Sequence, residues 1–468
     1  MFKIVSNPWK SAKIRRSALF DSKWYKQTYQ DVECNGMDPA YHYGRFGAAE
    51  GRDPGPEFST TGYRNFYNIK TQNPLLHYEK TGRSLGYLPC PVFSGSLPPQ
   101  PEKTPVVFVA HLAKSHVFGA ERSLLTILDK AIEANILPTL IVPHIYPGPY
   151  LDDLLARCCT LHPLPYGWRR ARQSLHEQTV TQFIKIFTKS KAVALYQNTL
   201  VLDAPIQAAQ QINLPTIMHV HELPDSDPDL CALMDVTAQD LRKTLRQGTT
   251  DFVVASPAIA DWLNVPPSRV TVAPNGIDPQ LFDLPAFLRS PPRIAMVSSN
   301  IAKKGIKDFV KVARIFAAKG GVAKFLLIGP MSDDLAQLFP LPDNVHHTGY
   351  ATSPVAAIKQ ADLVLSLSAV AESFGLTVYE AMAAGRPVIC YNRGMPPDLI
   401  NTSGAGIVTA VDDCEAVAEA ILDILTSKEK FLEYSHAARA QGHFLHSQTV
   451  AQISRFFHNI SPSQINGS

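Results

Sequence analysis

Short apolar runs alternate with stretches of helical pattern along most of this 468-residue chain. They form two sets, the first at residues 106–110, 140–142, 193–195, 216–218 and 252–255, the second at 294–297, 325–328, 363–365 and 388–390. Alternation of this kind is typical of parallel sheets whose two faces are covered by helices. Two such sets predict an α/β protein with two doubly wound domains that face a cleft, and any ligand belongs at the carboxyl ends of the strands.

The segment between the last two runs carries two carboxylates. It reads Ala-Glu-Ser-Phe-Gly-Leu-Thr-Val-Tyr-Glu-Ala-Met-Ala-Ala-Gly-Arg-Pro, with Glu372 at the strand-to-helix turn and Glu380 on the helix. Gly375 permits close backbone approach at the helix start, where free N–H groups and the helix dipole favour an anion. Carboxylates accept hydrogen bonds from hydroxyls, which sugars and riboses display. A phosphate flanked by polyols indicates a nucleotide-sugar.

The spacing of the two glutamates argues against a glycosidase. If the segment is helical throughout, eight residues separate the Glu372 and Glu380 backbones by about 12 Å. The two carboxylates of a glycosidase lie about 5–9.5 Å apart around a single bond. Two separate hydroxyl clusters fit better, and the alternative is an amphipathic helix with two solvated glutamates.

The Glu372 to Glu380 pattern resembles the E-x7-E signature of retaining GT-B glycosyltransferases, in particular glycosyltransferase family 4, also called glycosyl transferases group 1. The resemblance spans about residues 104 to 460 and implies two Rossmann-like domains facing a cleft. It further implies a nucleotide-sugar donor, in which the sugar is linked to UDP, GDP or dTDP. It implies neither a cofactor nor a metal ion. Glu372 would hold the sugar hydroxyls and Glu380 the ribose hydroxyls, with Phe374, Gly375 and Leu376 at the helix start.

Two loops of the first predicted domain resemble family motifs as well. Gly119 lies in a Phe-Gly-Ala-Glu loop that would touch the donor diphosphate, with Phe118 where the family usually has glycine. His221 and Glu222 end an apolar run, and the family's histidine at this place lies beside the donor sugar. Because His219 precedes them by two positions, a metal site and an inert strand-end histidine stay open as alternatives.

Two loops of the second predicted domain complete the implied site. Lys304 resembles the family's lysine, whose charge would neutralise the leaving diphosphate. The family usually has an arginine six residues earlier, where this chain has Ser298, so either Lys303 supplies the second charge or the stabilisation is weaker. Tyr350 closes a His-Thr-Gly-Tyr loop whose backbone would meet the nucleobase. His221, Lys304 and Glu372 are thus the candidate catalytic residues.

An internal repeat precedes these domains, within residues 18–90. Asp-Pro-Ala-Tyr-His-Tyr from Asp38 recurs as Asn-Pro-Leu-Leu-His-Tyr from Asn73, and Gly47 recurs as Gly82 at the same offset of 35 (82 − 47). Each unit reads as a helix pair with Asp38 or Asn73 as N-cap, and with Gly47 or Gly82 ending the turn. Stable helical solenoids usually need at least three units, so these two should lean on the enzyme body or on a partner.

The repeat resembles units attached to bacterial polysaccharide glycosyltransferases. It would place the acceptor, mediate protein contact or oligomerisation, or serve as a packing accessory. His42 and His77 are interpreted as packed helix residues rather than metal ligands. The predicted domains are residues 1–93, a mainly α-helical repeat domain; 94–103, a linker too rich in Pro, Gly and Ser to pack; 104–280, the acceptor-side domain; and 281–460, the nucleotide-sugar-binding domain.

Composition narrows the class of protein. A net charge of +3 gives no reason to expect nucleic acid as a partner. Seven cysteines without a C-x-x-C pattern predict a reduced cytoplasmic protein, and no apolar run is long enough to span a membrane. The opening segment is basic, with Lys3, Lys10, Lys13, Arg15, Arg16 and Lys23, and predicts either peripheral contact with an anionic membrane face or a solvated tail.

Together these features predict a retaining glycosyltransferase, a hexosyltransferase of bacterial surface polysaccharide or glycoconjugate synthesis. Its acceptor would be a glycan, a lipid-linked or a protein-linked molecule. Two alternatives remain: a catalytically degenerate scaffold that binds glycan or protein through its repeats, favoured by Ser298, and a nucleotide-sugar epimerase.

Overall fold

Two parallel-dominated sheets organise the computed structural model, which describes residues 8–110, 117 and 119–460. The first sheet has the strand order β1-β4-β3-β2-β5-β6-β7-β8 and the second β11-β10-β9-β12-β13-β14. The second order is that of a doubly wound sheet, which reverses direction next to its first strand. The predicted α/β class with two doubly wound domains is therefore confirmed.

The first sheet and its helices form the first lobe. Its strands are β1 Phe93–Ser94, β2 Thr104–Val109, β3 Ile136–Val142, β4 Thr160–Pro163, β5 Ala194–Gln197, β6 Thr216–Val220, β7 Asp251–Val254 and β8 Val270–Val272. Its helices are α8 Gly119–Glu133, α9 Pro149–Ala156, α10 Glu177–Lys189, α11 Ala204–Gln211, α12 Pro228–Met234, α13 Ala238–Gly248 and α14 Pro257–Leu263. β1 is antiparallel to β4, and the other pairings in this sheet are parallel.

The second sheet and its helices form the second lobe, in which every strand pairing is parallel. Its strands are β9 Arg293–Val297, β10 Lys324–Ile328, β11 Val345–Gly349, β12 Leu363–Ser366, β13 Val388–Tyr391 and β14 Gly406–Thr409. Its helices are α15 Ile306–Ala318, α16 Asp333–Ala336, α17 Pro354–Ile358, α18 Leu376–Ala383, α19 Pro396–Asn401, α20 Cys414–Ile424 and α21 Lys428–His458.

The nine apolar runs of the sequence all fall on strands, so those predictions are confirmed. Central strands of a parallel sheet are covered by helices on both faces, which is why they read as continuous apolar runs. The strands without such a run were not predicted, namely β1, β4, β8, β11 and β14. β11, for example, lies at the edge of its sheet and reads Val-His-His-Thr-Gly, with alternating burial.

Helix α21 connects the two lobes. Gly442 allows it to pack closely on α18, since a methyl group there would lie 2.6 Å from the Ala383 Cα. Farther along the same helix, the Phe457 ring lies 5.8 Å from the Tyr196 ring and 6.4 Å from the Phe108 ring of the first sheet. The last turns of the predicted domain 281–460 therefore pack on the first lobe.

The repeat region is helical, with a core of its own aromatic side chains. Its helices are α1 Pro8–Arg16, α2 Ser22–Thr28, α3 Gln30–Cys34, α4 Pro39–His42, α5 Ala48–Glu50, α6 Thr60–Phe66 and α7 Pro74–His77. The predicted N-caps are confirmed, because Asp38 accepts from the Tyr41 N–H at 2.8 Å and Asn73 from the Leu76 N–H at 3.0 Å. Wide π turns follow α4 and α7 and end at Gly47 and Gly82.

Gly47 and Gly82 are required because a side chain would not fit there, and not because their backbone is left-handed. Left-handed backbone comes four residues later, at Gly51 and Gly86. In each unit a buried tyrosine bonds a histidine Nδ1 at 2.9 Å, Tyr25 with His42 and Tyr63 with His77. A methyl group at Gly47 or Gly82 would overlap the hydroxyl oxygen of the tyrosine in its own unit. The repeated Tyr, His and Gly are thus one packing unit, and both histidines pack as predicted.

We expect Gly82→Ala to lower the free energy of unfolding by about 1–3 kcal/mol, the usual cost of overpacking. The reason is the overlap with the Tyr63 hydroxyl, so the loss should shrink when Gly82→Ala is made in a Tyr63→Phe background. Urea unfolding of the four proteins of this double-mutant cycle measures the difference. Equal losses in both backgrounds would contradict the assignment.

The repeat region packs against the first lobe, which is one of the two arrangements that the sequence predicted. Thr61 Oγ1 accepts from the Ile145 N–H at 2.9 Å, and Asn65 Nδ2 donates to the Ile145 carbonyl at 3.0 Å. The connection that follows is also packed, since the Gly95 N–H donates to the Cys159 carbonyl at 2.8 Å. The prediction that residues 94–103 are too rich in Pro, Gly and Ser to pack is therefore wrong for the start of that segment.

The seven cysteines are all free thiols. Among the described helices, none is both long and apolar enough to cross a membrane. Of the basic opening segment, Lys3 lies outside the described residues. Arg15 on α1 forms an exposed ion pair with Asp38 at 2.8 Å, and contact with a membrane stays a prediction.

Candidate active site

A cavity of about 910 Å³ lies between the two lobes. From the second lobe it is lined by residues at or just after the carboxyl ends of β9, β10, β11 and β12, and from the first lobe by α8 and α9. The prediction that a ligand site lies at the carboxyl ends of the strands agrees with this position. Seven of the predicted site residues line the cavity: Gly119, Lys304, Tyr350, Glu372, Gly375, Leu376 and Glu380.

Glu372 and Lys304 meet in this cavity. The Lys304 Nζ lies 2.6 Å from the Glu372 Oε1. Helix α18 begins only at Leu376, so Glu372 stands on the loop before it. The assumption that the segment from Glu372 to Glu380 is helical throughout is therefore wrong. Its backbone is held from the other side, where the Met395 N–H donates to the Glu372 carbonyl at 3.0 Å. A carboxylate and an ammonium are thus placed side by side at the strand ends.

The start of α18 supplies unbonded N–H groups between the two glutamates. Gly375 is its N-cap residue, with a left-handed φ of 83°, and no side chain caps the helix. The first N–H groups of a helix have no partner within it and favour an anion. Across the cleft Gly119 faces this helix start, since a methyl group there would lie 3.3 Å from Leu376 Cδ2.

Glu380 is buried and pairs with a residue that the sequence did not single out. Its Oε1 lies 2.9 Å from Nη1 of Arg122, which belongs to α8 of the first lobe. Burial raises the pKa of Glu380, and the Arg122 guanidinium opposes that rise. A usable signal was present, because Arg122 directly follows the Phe-Gly-Ala-Glu loop that was predicted to touch the donor diphosphate.

Lys303 and Phe374 do not line the cavity. The Lys303 Nζ lies 2.8 Å from Oδ2 of Asp227, at the start of α12 in the first lobe, so the hypothesis that Lys303 supplies the second charge on a diphosphate finds no support in its position. Phe374 is buried in the core and packs edge-on against Tyr379, with ring centroids 5.8 Å apart. Its backbone, not its side chain, belongs to the turn before α18.

His221 lies beside the cleft rather than in the cavity lining. Its Nε2 is 3.2 Å from Asn198 Oδ1, and its carbonyl accepts a hydrogen bond from the Ser373 hydroxyl, next to Glu372. Its ring lies beside that of His219, with centroids 3.9 Å apart and planes tilted by 36°, as expected for positions two apart on a strand. Burial lowers the pKa of His219. The described residues contain no group of three or more His, Cys, Asp or Glu side chains that could hold a metal ion.

Ser298 and Tyr350 contribute in different ways. The Ser298 hydroxyl accepts from the Asn300 N–H at 3.0 Å and lines the cavity. The Tyr350 hydroxyl accepts from the Val117 N–H at 2.9 Å and donates to the Val117 carbonyl at 3.1 Å, which ties the two lobes together. Phe118, the departure from the family's loop, lies outside the described residues.

Glu222 is a titrating group beside the cleft. It accepts from the His221 N–H at 3.1 Å and from the Thr199 hydroxyl at 3.1 Å, and burial raises its pKa from 4.5 to about 7. A raised pKa means that the folded protein holds this proton more tightly than the unfolded chain. Its contribution to stability is complete below pH 4.5 and is lost as the pH rises through 7.

We therefore expect Glu222→Gln to raise the free energy of unfolding at pH 8, by at most about 3 kcal/mol. Glutamine keeps an oxygen for the His221 N–H but has no charge to bury. The difference from wild type should vanish below pH 4.5, which urea unfolding at pH 4 and pH 8 measures. A gain that is the same at both pH values would contradict this titration.

Residues 285–441 match the family model described as "Glycosyl transferases group 1". This segment is a group 1 glycosyl transferase domain. It contains Lys304, Glu372 and Glu380.

Two curated relatives of this chain are glycosyltransferases by name. The amylovoran biosynthesis glycosyltransferase AmsK of Erwinia amylovora is 29% identical over 206 residues, which cover 40% of this chain and 50% of that protein. The MMP alpha-(1->4)-mannosyltransferase of Mycolicibacterium hassiacum is 30% identical over 196 residues, 39% of this chain and 47% of that protein. The chain thus spans about half the length of these relatives.

Solved structures show the fold of both lobes. The structure of Anabaena HepE in complex with UDP-glucose superposes with a TM-score of 0.61 at 16% identity, covering 76% of this chain and 98% of that one. The sucrose-phosphate synthase of Thermosynechococcus elongatus gives a TM-score of 0.59 at 16% identity, covering 78% of this chain and 100% of that one. The group 1 domain and the lobe that faces it therefore form a GT-B fold, as predicted.

Proposed function

We propose that this chain is a retaining glycosyltransferase of family 4. It would move a sugar from a nucleotide-sugar to a glycan, lipid-linked or protein-linked acceptor in the synthesis of a bacterial surface polysaccharide or glycoconjugate. The observation that carries the proposal is the interlobe cavity in which Lys304, Glu372 and the N–H groups at the start of α18 converge. Relatives named for amylovoran synthesis and for α-linked products support it.

The proposed roles follow from the chemistry of these groups. The N–H groups at the start of α18 would bind the diphosphate, and Lys304 would neutralise the negative charge that grows as it leaves. Glu372 would accept hydrogen bonds from the sugar hydroxyls, and Glu380 from the ribose hydroxyls. The ion pair of Lys304 with Glu372 holds both side chains ready before the donor binds. His221 would act through its carbonyl, which holds Ser373 next to Glu372.

No nucleophile of the enzyme is part of this proposal. The bond from the sugar carbon to the phosphate oxygen breaks, and the bond from the acceptor oxygen to the same carbon forms on the same face. The acceptor's proton passes to the departing phosphate oxygen. The positive charge that the step requires comes from protein side chains, so the proposal needs neither a metal ion nor a cofactor.

Thermal shift with UDP, GDP, dTDP and CMP tests the proposal first. A nucleotide at 100 times its Kd should raise the free energy of unfolding by about 2.7 kcal/mol. Release of the matching nucleoside diphosphate from its sugar donor, dependent on an added acceptor, then tests transfer, and NMR of the product's anomeric carbon tests retention. Conversion of the donor without an acceptor would identify an epimerase, and binding of none of the four nucleotides would favour the scaffold.

A further inference from the structure

Arg122 brings a second cation to the cavity, from the first lobe. It stands in the first turn of α8, and its Nη1 lies 2.9 Å from the Glu380 Oε1 on α18. The contact spans the two lobes, since α18 belongs to the second. Arg122, Glu380 and Lys304 all line the same cavity.

The guanidinium of Arg122 has a donor that the described residues leave unused. A guanidinium offers five N–H donors in a planar fork. Nη1 meets Glu380, whereas the Nε–H is buried and has no hydrogen-bond partner within the described part of the chain. The side chain as a whole is 26% exposed and lines the cavity, so the remaining part of the fork is open to the acceptor atoms of a ligand there.

Arg157 shows what a fully engaged arginine looks like in this cavity. It also comes from the first lobe and lines the same space. Its Nε and Nη2 lie 2.7 and 3.3 Å from the Asp129 carboxylate, and its Nη1 lies 3.1 Å from Asp153 Oδ1. All three of its nitrogens are bonded. The unused donor is therefore a property of Arg122 and not of every arginine at this cleft.

The position of Glu380 places this donor near the anion-binding end of α18. Glu380 follows Leu376 by four residues, which is about 6 Å along a helix. The backbone of Glu380, whose side chain pairs with the guanidinium, is thus about one helical turn from the free N–H groups at the helix start. Guanidinium forks bind phosphate oxygens in pairs, which makes arginine well suited to this place.

We propose that Arg122 binds the diphosphate of the donor while its Nη1 stays on Glu380. This inference rests on the proposed function and names the residue that the first lobe adds to the donor site. The bound diphosphate then contacts Lys304 on the second lobe and Arg122 on the first, and so bridges the two lobes. A nucleoside without phosphates cannot use that connection, so Arg122 should discriminate between nucleoside diphosphate and nucleoside.

The test compares the affinities of UDP, GDP and dTDP with those of uridine, guanosine and thymidine, by calorimetry on wild type and on Arg122→Gln. For the base that wild type binds, Arg122→Gln should weaken the diphosphate about tenfold to hundredfold, as for a lost charge-assisted hydrogen bond. The nucleoside should change by less than about threefold. Arg122→Lys, which keeps the charge but not the fork, should fall in between.

A merely structural role gives a different result. If Arg122 only holds Glu380 in place, its loss weakens diphosphate and nucleoside by the same factor, because both carry the ribose. That outcome would overturn the inference and leave the proposed function standing, whereas failure of wild type to bind any of the nucleotides would overturn both. Arg157→Gln is the matched control and should leave the ratio of the two affinities unchanged.

One further variant guards against misfolding. Arg122→Gln leaves the buried Glu380 carboxylate without its partner. The double variant Arg122→Gln with Glu380→Gln removes both charges together. The double variant is compared with the single variant Glu380→Gln. It should lose the preference for diphosphate over nucleoside by the same factor as Arg122→Gln does relative to wild type. An unchanged preference would again overturn the inference.

Discussion

Glu372→Ala is expected to lower sugar transfer by at least about 100-fold while the protein still folds. The change removes the acceptor proposed for the sugar hydroxyls and leaves the Lys304 ammonium without its partner at 2.6 Å. Removal of one preorganised polar group from an active site typically costs a factor of 100 to 1,000 in kcat. The fold should survive because the loop is held by backbone contacts, such as the one from the Met395 N–H to the Glu372 carbonyl. Release of nucleoside diphosphate from the donor measures the loss.

A lysine–glutamate pair outside the cavity provides the control. Lys319 lies 3.0 Å from Glu419 on the exposed face of the second lobe, so Glu419→Ala removes the same type of contact far from the proposed donor. Transfer by Glu419→Ala should equal that of wild type. Normal turnover by Glu372→Ala would refute the role given to Glu372, whatever the result for the control.

The sequence predicts the helices and strands of this fold better than it predicts the contacts between them. Central strands such as β9 and β12 are visible because burial on both faces makes them apolar throughout. The strand β11 is not visible, since its exposed edge tolerates two histidines and a glycine. The hydrophobic pattern reports burial, so an edge strand gives a weak signal.

The candidate site shows the same division. Glu372, Glu380 and Lys304 are recognised from short motifs in the sequence, but the pairing of Glu372 with Lys304 and of Glu380 with Arg122 is not. Lys304 lies 68 positions from Glu372, and Arg122 comes from the other lobe. Lys303 and Lys304 are neighbours in one turn, yet one points to Asp227 and the other to Glu372. The motif points to Lys304, but only the packing of the two lobes shows that Lys303 is held by Asp227 of the first lobe.

The two ends of α15 offer a direct test of how the cavity is built. Gly305 precedes the helix and Gly320 follows it, and both have a φ of 82°. Alanine in this left-handed conformation costs about 1–2 kcal/mol. A methyl group at Gly320 meets nothing within 4 Å, whereas one at Gly305 overlaps the Leu367 carbonyl oxygen. The overlap adds about 1–3 kcal/mol.

We therefore expect Gly320→Ala to lower the free energy of unfolding by about 1–2 kcal/mol and Gly305→Ala by about 2–5 kcal/mol, measured by urea unfolding. The overlap at Gly305 can be relieved only by a shift of backbone next to Lys304 or Leu367, and both residues line the cavity. Gly305→Ala should therefore also lower transfer at least about tenfold, because a displaced ammonium stabilises the leaving diphosphate less well. Gly320→Ala should keep wild-type turnover. Equal losses of stability in the two variants would show that the space beside Leu367 adjusts without cost, and unchanged transfer in Gly305→Ala would show that Lys304 does not depend on this turn for its position.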